Sequence, residues 1–165
     1  MLDKHFSLLT GKSCCLPSYD CDVLRPEMES GNELQKYFHA RIGLALIQER
    51  IYVSIYSVKA LRGTQAQKQV SISRLDADLR QWHEEFKKMS LEARNDFTTG
   101  ESVLAVEIEF LYYNCCIMIH RRGGRSSERT QCLKEARQSL GLLQTLQSIS
   151  CVEKDAALRR YVFAC

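Results

Sequence analysis

The sequence predicts an all-α fold, a single-domain bundle of five or six helices with one long N-terminal loop. Three observations predict it. Apolar residues recur every three or four places through most of the chain. No stretch of useful length alternates polar and apolar side chains as a strand does. Both prolines, Pro17 and Pro26, fall in one segment near the start, which leaves the rest free of the strongest helix breaker. At 165 residues the chain fits one domain, residues 1–165, large enough to bury roughly 70% of its unfolded surface.

Residues 2–10 read as a short helix with Leu2, Phe6 and Leu9 on one side and Gly11 as its stop. It resembles the tail of something longer, so Met1 begins almost inside an element. Residues 11–30 hold no helical period and are expected to form the loop, packed down by Leu16, Tyr19 and Val23. A long helix should follow, from an N-cap at Asn32 to about Leu61, with Leu34, Phe38, Ile42, Ala45, Leu46, Ile51, Ile55 and Val58 inward. Arg62-Gly63-Thr64 ends it. The next, from Ser71 to about Met89, has the cleanest period of all: Ile72, Leu75, Leu79, Trp82, Phe86 and Met89. Residues 90–100 are a polar connection.

The run from Glu101 to Arg122 is the most apolar in the chain. Between Val103 and Ile119 only Glu107, Glu109 and Asn114 are strongly polar, so this helix should lie inside the others. Two carboxylates and an amide argue against a membrane span. Gly123-Gly124 stops it. Ser126-Ser127-Glu128 opens another, to about Ser148, with Cys132, Ala136, Leu140, Leu143 and Leu146 as the expected buried stripe. Residues 152–165 read as a last helix cut off in mid-course.

Composition leaves several functional classes unsupported. Lys and Arg number 23 against 20 Asp and Glu, and the net charge of +3 is too small and too interspersed to argue for nucleic acid or membrane. Of the eight cysteines, Cys14-Cys15 and Cys115-Cys116 are adjacent pairs, and no C-x-x-C occurs to present two thiolates to a zinc ion. Reduced, intracellular thiols are expected, in nucleus or cytoplasm, with no metal and no cofactor. The first residues lack the basic and apolar regions of a signal peptide.

Four stretches carry a family resemblance. Gly11-Lys12 with Asp20-Cys21-Asp22-Val23 and Pro26, Arg50-Ile51-Tyr52 with Ile55-Tyr56-Ser57, Leu75-Asp76 with Leu79 and Trp82, and Leu111-Tyr112-Tyr113 leading to Ile119-His120-Arg121 stand in order over roughly residues 2–150. Together they resemble the middle homology region of fungal zinc-cluster transcription factors, the regulatory domain that follows their DNA-binding module. The departures are Ser13 and Arg122 where that family usually has prolines, Asn114 where it often has histidine, and the lack of a zinc-cluster cysteine array. The resemblance implies an all-helical regulatory or ligand-sensing scaffold without direct DNA binding. The family's upstream half is not matched, and apolar positions left open on that side would favour a homodimer.

At 100° per residue the central helix places Glu109, Tyr113, Cys116 and His120 on one stripe, at i, i+4, i+7 and i+11. An acid, a phenol, a thiol and an imidazole on a buried element could line a pocket, with Glu109 or His120 as general acid or base and Tyr113 orienting a ligand oxygen. The alternative is a helix edge where Glu109 and His120 pair with neighbouring side chains. Tyr52 and Tyr56, one turn apart, with Trp82, Tyr112 and Cys116, are candidate ligand contacts or simply core. Asp20 and Asp22 could bind a cation, but such carboxylates more often cap loop N–H groups. The cations His120, Arg121, Arg122 and Arg125 stand where a helix dipole favours them.

Two functions follow. The first is a regulatory module that binds a small hydrophobic effector or a protein partner. The second is a small cofactor-free cyclase or isomerase acting on a hydrophobic secondary metabolite, with Glu109, Tyr113 and His120 as its polar guides.

Overall fold

The computed structural model describes residues 1–20, 33–93 and 99–152. Among them are six α-helices and no strand: α1 (Leu2–Thr10), α2 (Glu33–Ile51), α3 (Val58–Leu61), α4 (Gln65–Ala93), α5 (Thr99–His120) and α6 (Ser126–Val152). A single 3-10 turn, Ser18–Asp20, lies in the loop after α1. Cys21, Asp22, Val23, Pro26 and the expected Asn32 cap lie outside the described residues, as do residues 153–165.

The helix α5 is central, as its apolarity predicts. It packs on α2, α4 and α6, and Ile108, Leu111, Cys115 and Ile119 are among its buried residues. Val103–His120 has the length and mean hydropathy, 1.4, that a spanning segment would also need, but here its apolar side chains meet other helices. The main core joins Leu44, Ile51 and Ile55 to Leu75, Leu79 and the α5 residues. A smaller cluster of Tyr37, Phe86 and Ile108 continues it. Where α2 crosses α4, Gly43 permits a close approach, since a Cβ there would stand 2.9 Å from the Trp82 indole nitrogen.

The helix α1 ends as its glycine predicts. Gly11 takes the left-handed conformation, φ 71°, and its N–H returns to the Ser7 carbonyl at 2.9 Å. The helix is tied to α2 by Lys4–Glu49 at 2.5 Å, and Asp3 accepts from the backbone N–H groups of Cys15 and Leu16. Those two backbone bonds hold the Asp3 carboxyl below its usual range. Only Ser7 and Leu8 of α1 are buried; Leu2, Phe6 and Leu9 face outward.

Four expectations about elements need correction. The long helix to Leu61 is broken. A π-helical turn, Tyr52–Tyr56, interrupts it, and Ser57 is extended at ψ 155°. Ser57 then caps α3 by accepting from the Ala60 N–H at 3.2 Å. The inward face is met only in part: Ala45, Ile51 and, in the π-turn, Ile55 are buried as expected, but α2 also turns Tyr37, Leu44 and Ile47 inward and leaves Leu34 and Phe38 exposed, as Val58 is in α3. The edge contact of Tyr37 on Phe86, 6.3 Å between centroids, accompanies that orientation.

The helix α4 starts at Gln65 rather than Ser71, because Thr64 and Gln67 form a reciprocal capping box. The Gln67 N–H donates to the Thr64 hydroxyl at 3.2 Å and the Thr64 N–H to the Gln67 side chain at 2.9 Å. The helix then runs on to Ala93, into what the sequence offers as connection. Its predicted stripe of Ile72, Leu75, Leu79 and Phe86 is buried as expected.

The buried side of α6 is not its leucine stripe. Glu128, Glu135 and Ser139 are buried, whereas Leu140 is 62% and Leu143 39% exposed. The reason is polar. Glu128 accepts from Gln69 of α4 at 2.6 Å and from the Arg125 N–H at 2.8 Å, and Glu135 meets the imidazole of His120. These partners hold the polar face against the bundle.

Candidate functional site

Where α4, α5 and α6 meet, the stripe of Glu109, Tyr113, Cys116 and His120 runs toward the other two helices. His120, at the end of α5, is 5% exposed. Its Nδ1 lies 2.8 Å from Glu135 of α6 and its Nε2 3.3 Å from Asp76 of α4. Asp76 is also paired with Arg80 at 3.0 Å, and Gln131 donates to the other Glu135 oxygen at 2.9 Å. Burial alone would lower the imidazole pKa, but hydrogen bonds to Asp76 and Glu135 outweigh it and raise it to about 9. His120 is therefore a charged ion at neutral pH, with both ring N–H groups committed to carboxylates. Burial of Asp76 pulls its pKa up, yet His120 and Arg80 together hold it below the ordinary range.

The thiols beside this network are quiet. Burial pushes Cys115 up to about 12, and burial with the nearby Glu135 carboxylate raises Cys116 further. Among the described residues the cysteines are free. No cluster of three His, Cys, Asp or Glu there is placed to hold a metal ion.

At the other end of the stripe, Glu109 lies 3.8 Å from Nε2 of His83, a buried α4 residue. The His83 ring stacks on Tyr112 at 3.6 Å between centroids. Tyr112 in turn meets Trp82 at 6.5 Å and Tyr113 at 5.1 Å. Nε2 of His83 has no hydrogen-bond partner. Between these groups a cleft of about 400 Å³ opens, lined by Asp76, Arg80, His83, Tyr112, Tyr113 and Glu135, among others. Burial, then the Glu109 charge, raises the Tyr113 phenol, so it stays protonated as a donor.

The predicted residues thus fall into three groups. Tyr112 and Tyr113 wall the cleft, with Trp82 packed behind Tyr112. Glu109, Cys116 and His120 lie along the same side of α5, in contact with α4 or α6 partners or buried among them. Tyr52 and Tyr56 belong to the π-turn, pack against the core, and do not line the cleft. The Tyr56 hydroxyl donates to the Met118 carbonyl at 2.6 Å, and Arg121 and Arg122 lie over its ring. Of the loop acids, Asp20 ends the 3-10 turn, and Asp22 lies outside the described residues.

Asp76, His83 and Glu135 were missed from sequence. His83 had a findable signal, for it stands four residues after Leu79 and beside Trp82, inside the apolar arc of α4. Asp76 stands in the Leu75-Asp76 stretch of the family resemblance, though nothing there pairs it with His120, and Glu135 had no signal, because what distinguishes it is a histidine on another helix.

The proteins to which this chain is similar are named for transcription. The chain is 26% identical to an uncharacterized transcriptional regulatory protein of Schizosaccharomyces pombe over 90% of its own length. It is 24% identical to an ABC-transporter-regulating transcription factor of Aspergillus fumigatus over 73%, and 23% identical to the transcription factor oryO of Aspergillus oryzae over 78%. All three are fungal proteins named for transcription. The chain spans only 26%, 15% and 16% of their respective lengths. No family model matches the chain, and no solved structure does.

Proposed function

We propose that this chain is a helical regulatory module of a fungal transcription regulator, working in nucleus or cytoplasm, which receives a small ring-bearing effector in the α4–α5–α6 cleft. The observation that carries this reading is the cleft itself. Tyr113 offers one partly exposed aromatic ring, Arg80, Glu84, Lys87 and Lys134 give the cleft charged groups for the polar atoms of a ring-bearing ligand, and the buried His83 nitrogen, without a hydrogen-bond partner, stands at its wall. The similarity to three transcription regulators supports the regulatory setting. The outward Leu2, Phe6 and Leu9 of α1 support pairing of two copies.

The cyclase or isomerase reading is less well supported. A general acid or base must reach its substrate, yet both nitrogens of His120 face carboxylates and the thiols of Cys115 and Cys116 are buried and protonated. Glu109 and Tyr113 alone would have to carry the chemistry.

The test is to fuse the whole chain to an unrelated DNA-binding module and measure a reporter gene. Output should differ severalfold from that of the bare module, and Tyr113→Ala should move it back toward the bare level without lowering the melting temperature by more than a few degrees. Output equal to the bare module, or unaffected by Tyr113→Ala, removes the reading.

A further inference from the structure

The helix α6 segregates its charges. From residue 126 to residue 147 it has two carboxylates, and both Glu128 and Glu135 are turned inward and buried. Its three cations over the same span, Arg129, Lys134 and Arg137, are all exposed and make no ion pair among the described residues. An exposed helix usually intersperses both signs, and i, i+4 pairs between them add to its stability. Here the acids are drawn into the bundle by His120 and Gln69, and the outer face is left wholly basic.

That face is also apolar. Leu133 and Leu140 are each 62% exposed, and Leu143 is open at its margin. At 100° per residue Arg129, Leu133, Arg137, Leu140 and Gln144 fall within a sector of about 80°. The two leucines stand two turns apart, about 10 Å along the axis, with an arginine on either side of the row. This is the spacing at which a partner helix inserts its own i, i+4 and i+7 anchors.

We infer that the outward face of α6 is a docking surface for an acidic amphipathic helix of another protein. Charge chooses this occupant over the others. A second copy would bring Arg129 and Arg137 against their own kind, and like charges brought together suppress pairing. Residues 153–165 of this chain carry three cations and two carboxylates, so they complement the face poorly. A helix with leucines in a row and glutamates along both margins complements it twice, burying Leu133 and Leu140 while pairing Arg129 and Arg137. The surface is separate from the effector cleft and does not depend on it.

The probe is a fluorescent designed peptide with leucines at i, i+4, i+7 and i+11 and glutamates flanking them, titrated with the full chain. Saturable binding is expected, with a rise in peptide helicity. The pair Leu133→Ser and Leu140→Ser should weaken it at least tenfold, and Arg129→Glu with Arg137→Glu should do the same and reduce its salt dependence. Both pairs sit on the exposed face, so far-ultraviolet circular dichroism and melting temperature should match wild type. A scrambled peptide of the same composition should bind at least tenfold more weakly. Equal binding of the scrambled peptide overturns the inference, as does no binding at all. Preference for vesicles of phosphatidylcholine with phosphatidylserine, or for duplex DNA, over the designed peptide assigns the face to a polyanion instead and also overturns it.

Discussion

A histidine between two carboxylates is the residue-scale feature with the clearest energetic signature. Because the folded pKa of His120 is raised to about 9 from its ordinary 6.5, folding takes up a proton there, and the resulting stability is fully present below about pH 6.5. It is lost as pH rises through 9. Asp76, held low, contributes in the opposite sense: its share is present above its ordinary value near 3.8 and is lost only in stronger acid. The network should therefore stabilise most between about pH 4 and 6.5. Glu135→Gln keeps the shape and removes one charge partner, and is expected to cost about 2 kcal/mol at pH 7, or roughly 4–8 °C in melting temperature. The gap between variant and wild type should narrow above pH 9, as followed by thermal melts across pH. A gap that stays constant would mean that His120 is not charged in the native protein. Along the chain His120 can be read as a group that pairs with neighbouring side chains, but not with which, because Asp76 and Glu135 are brought to it only by packing.

At the scale of elements, the signals that failed are those decided by contacts between helices. The helix α4 was legible because its apolar residues fall on one face and its charges on the other. The helix α2 was not, because Leu34, Phe38, Tyr37 and Leu44 surround its axis and periodicity alone cannot choose among them. The π-turn at Tyr52–Tyr56 carries no glycine or proline to announce it. Its far end is readable only in retrospect, through Ser57 as a cap. The Thr64-x-x-Gln67 box was written in the sequence, yet Ser71 stood closer to the strong period and drew the boundary to itself. Each cap can be weighed directly. Thr64→Ala should cost about 1 kcal/mol and so should Ser57→Ala. Urea unfolding should show lower midpoints with unchanged slopes. No loss in Thr64→Ala would place the true start of α4 further along the chain.

For the molecule as a whole, the all-α class and the central place of α5 could be read from apolarity, whereas the candidate cleft could be read only in half. Tyr113 and its stripe follow from the geometry of one helix. The wall opposite comes from His83 and Glu135, which tertiary packing selects. The same packing makes α6 unlike the other long helices, since it lies mainly along α5 and is fastened to α4 through the Gln69–Glu128 and Asp76–His120–Glu135 contacts. A helix that reaches the rest of the bundle mainly through one neighbour is a natural unit of partial opening, able to detach while the remainder stays folded. Amide hydrogen exchange should show α6 releasing its protons as one block, ahead of α2, α4 and α5, and Glu135→Gln should hasten that block selectively. Uniform protection across all four helices would deny it. The last of the described helices is in this sense a clasp: its hold on α4 turns in part on the charge of one imidazole, and the molecule can loosen there without coming apart.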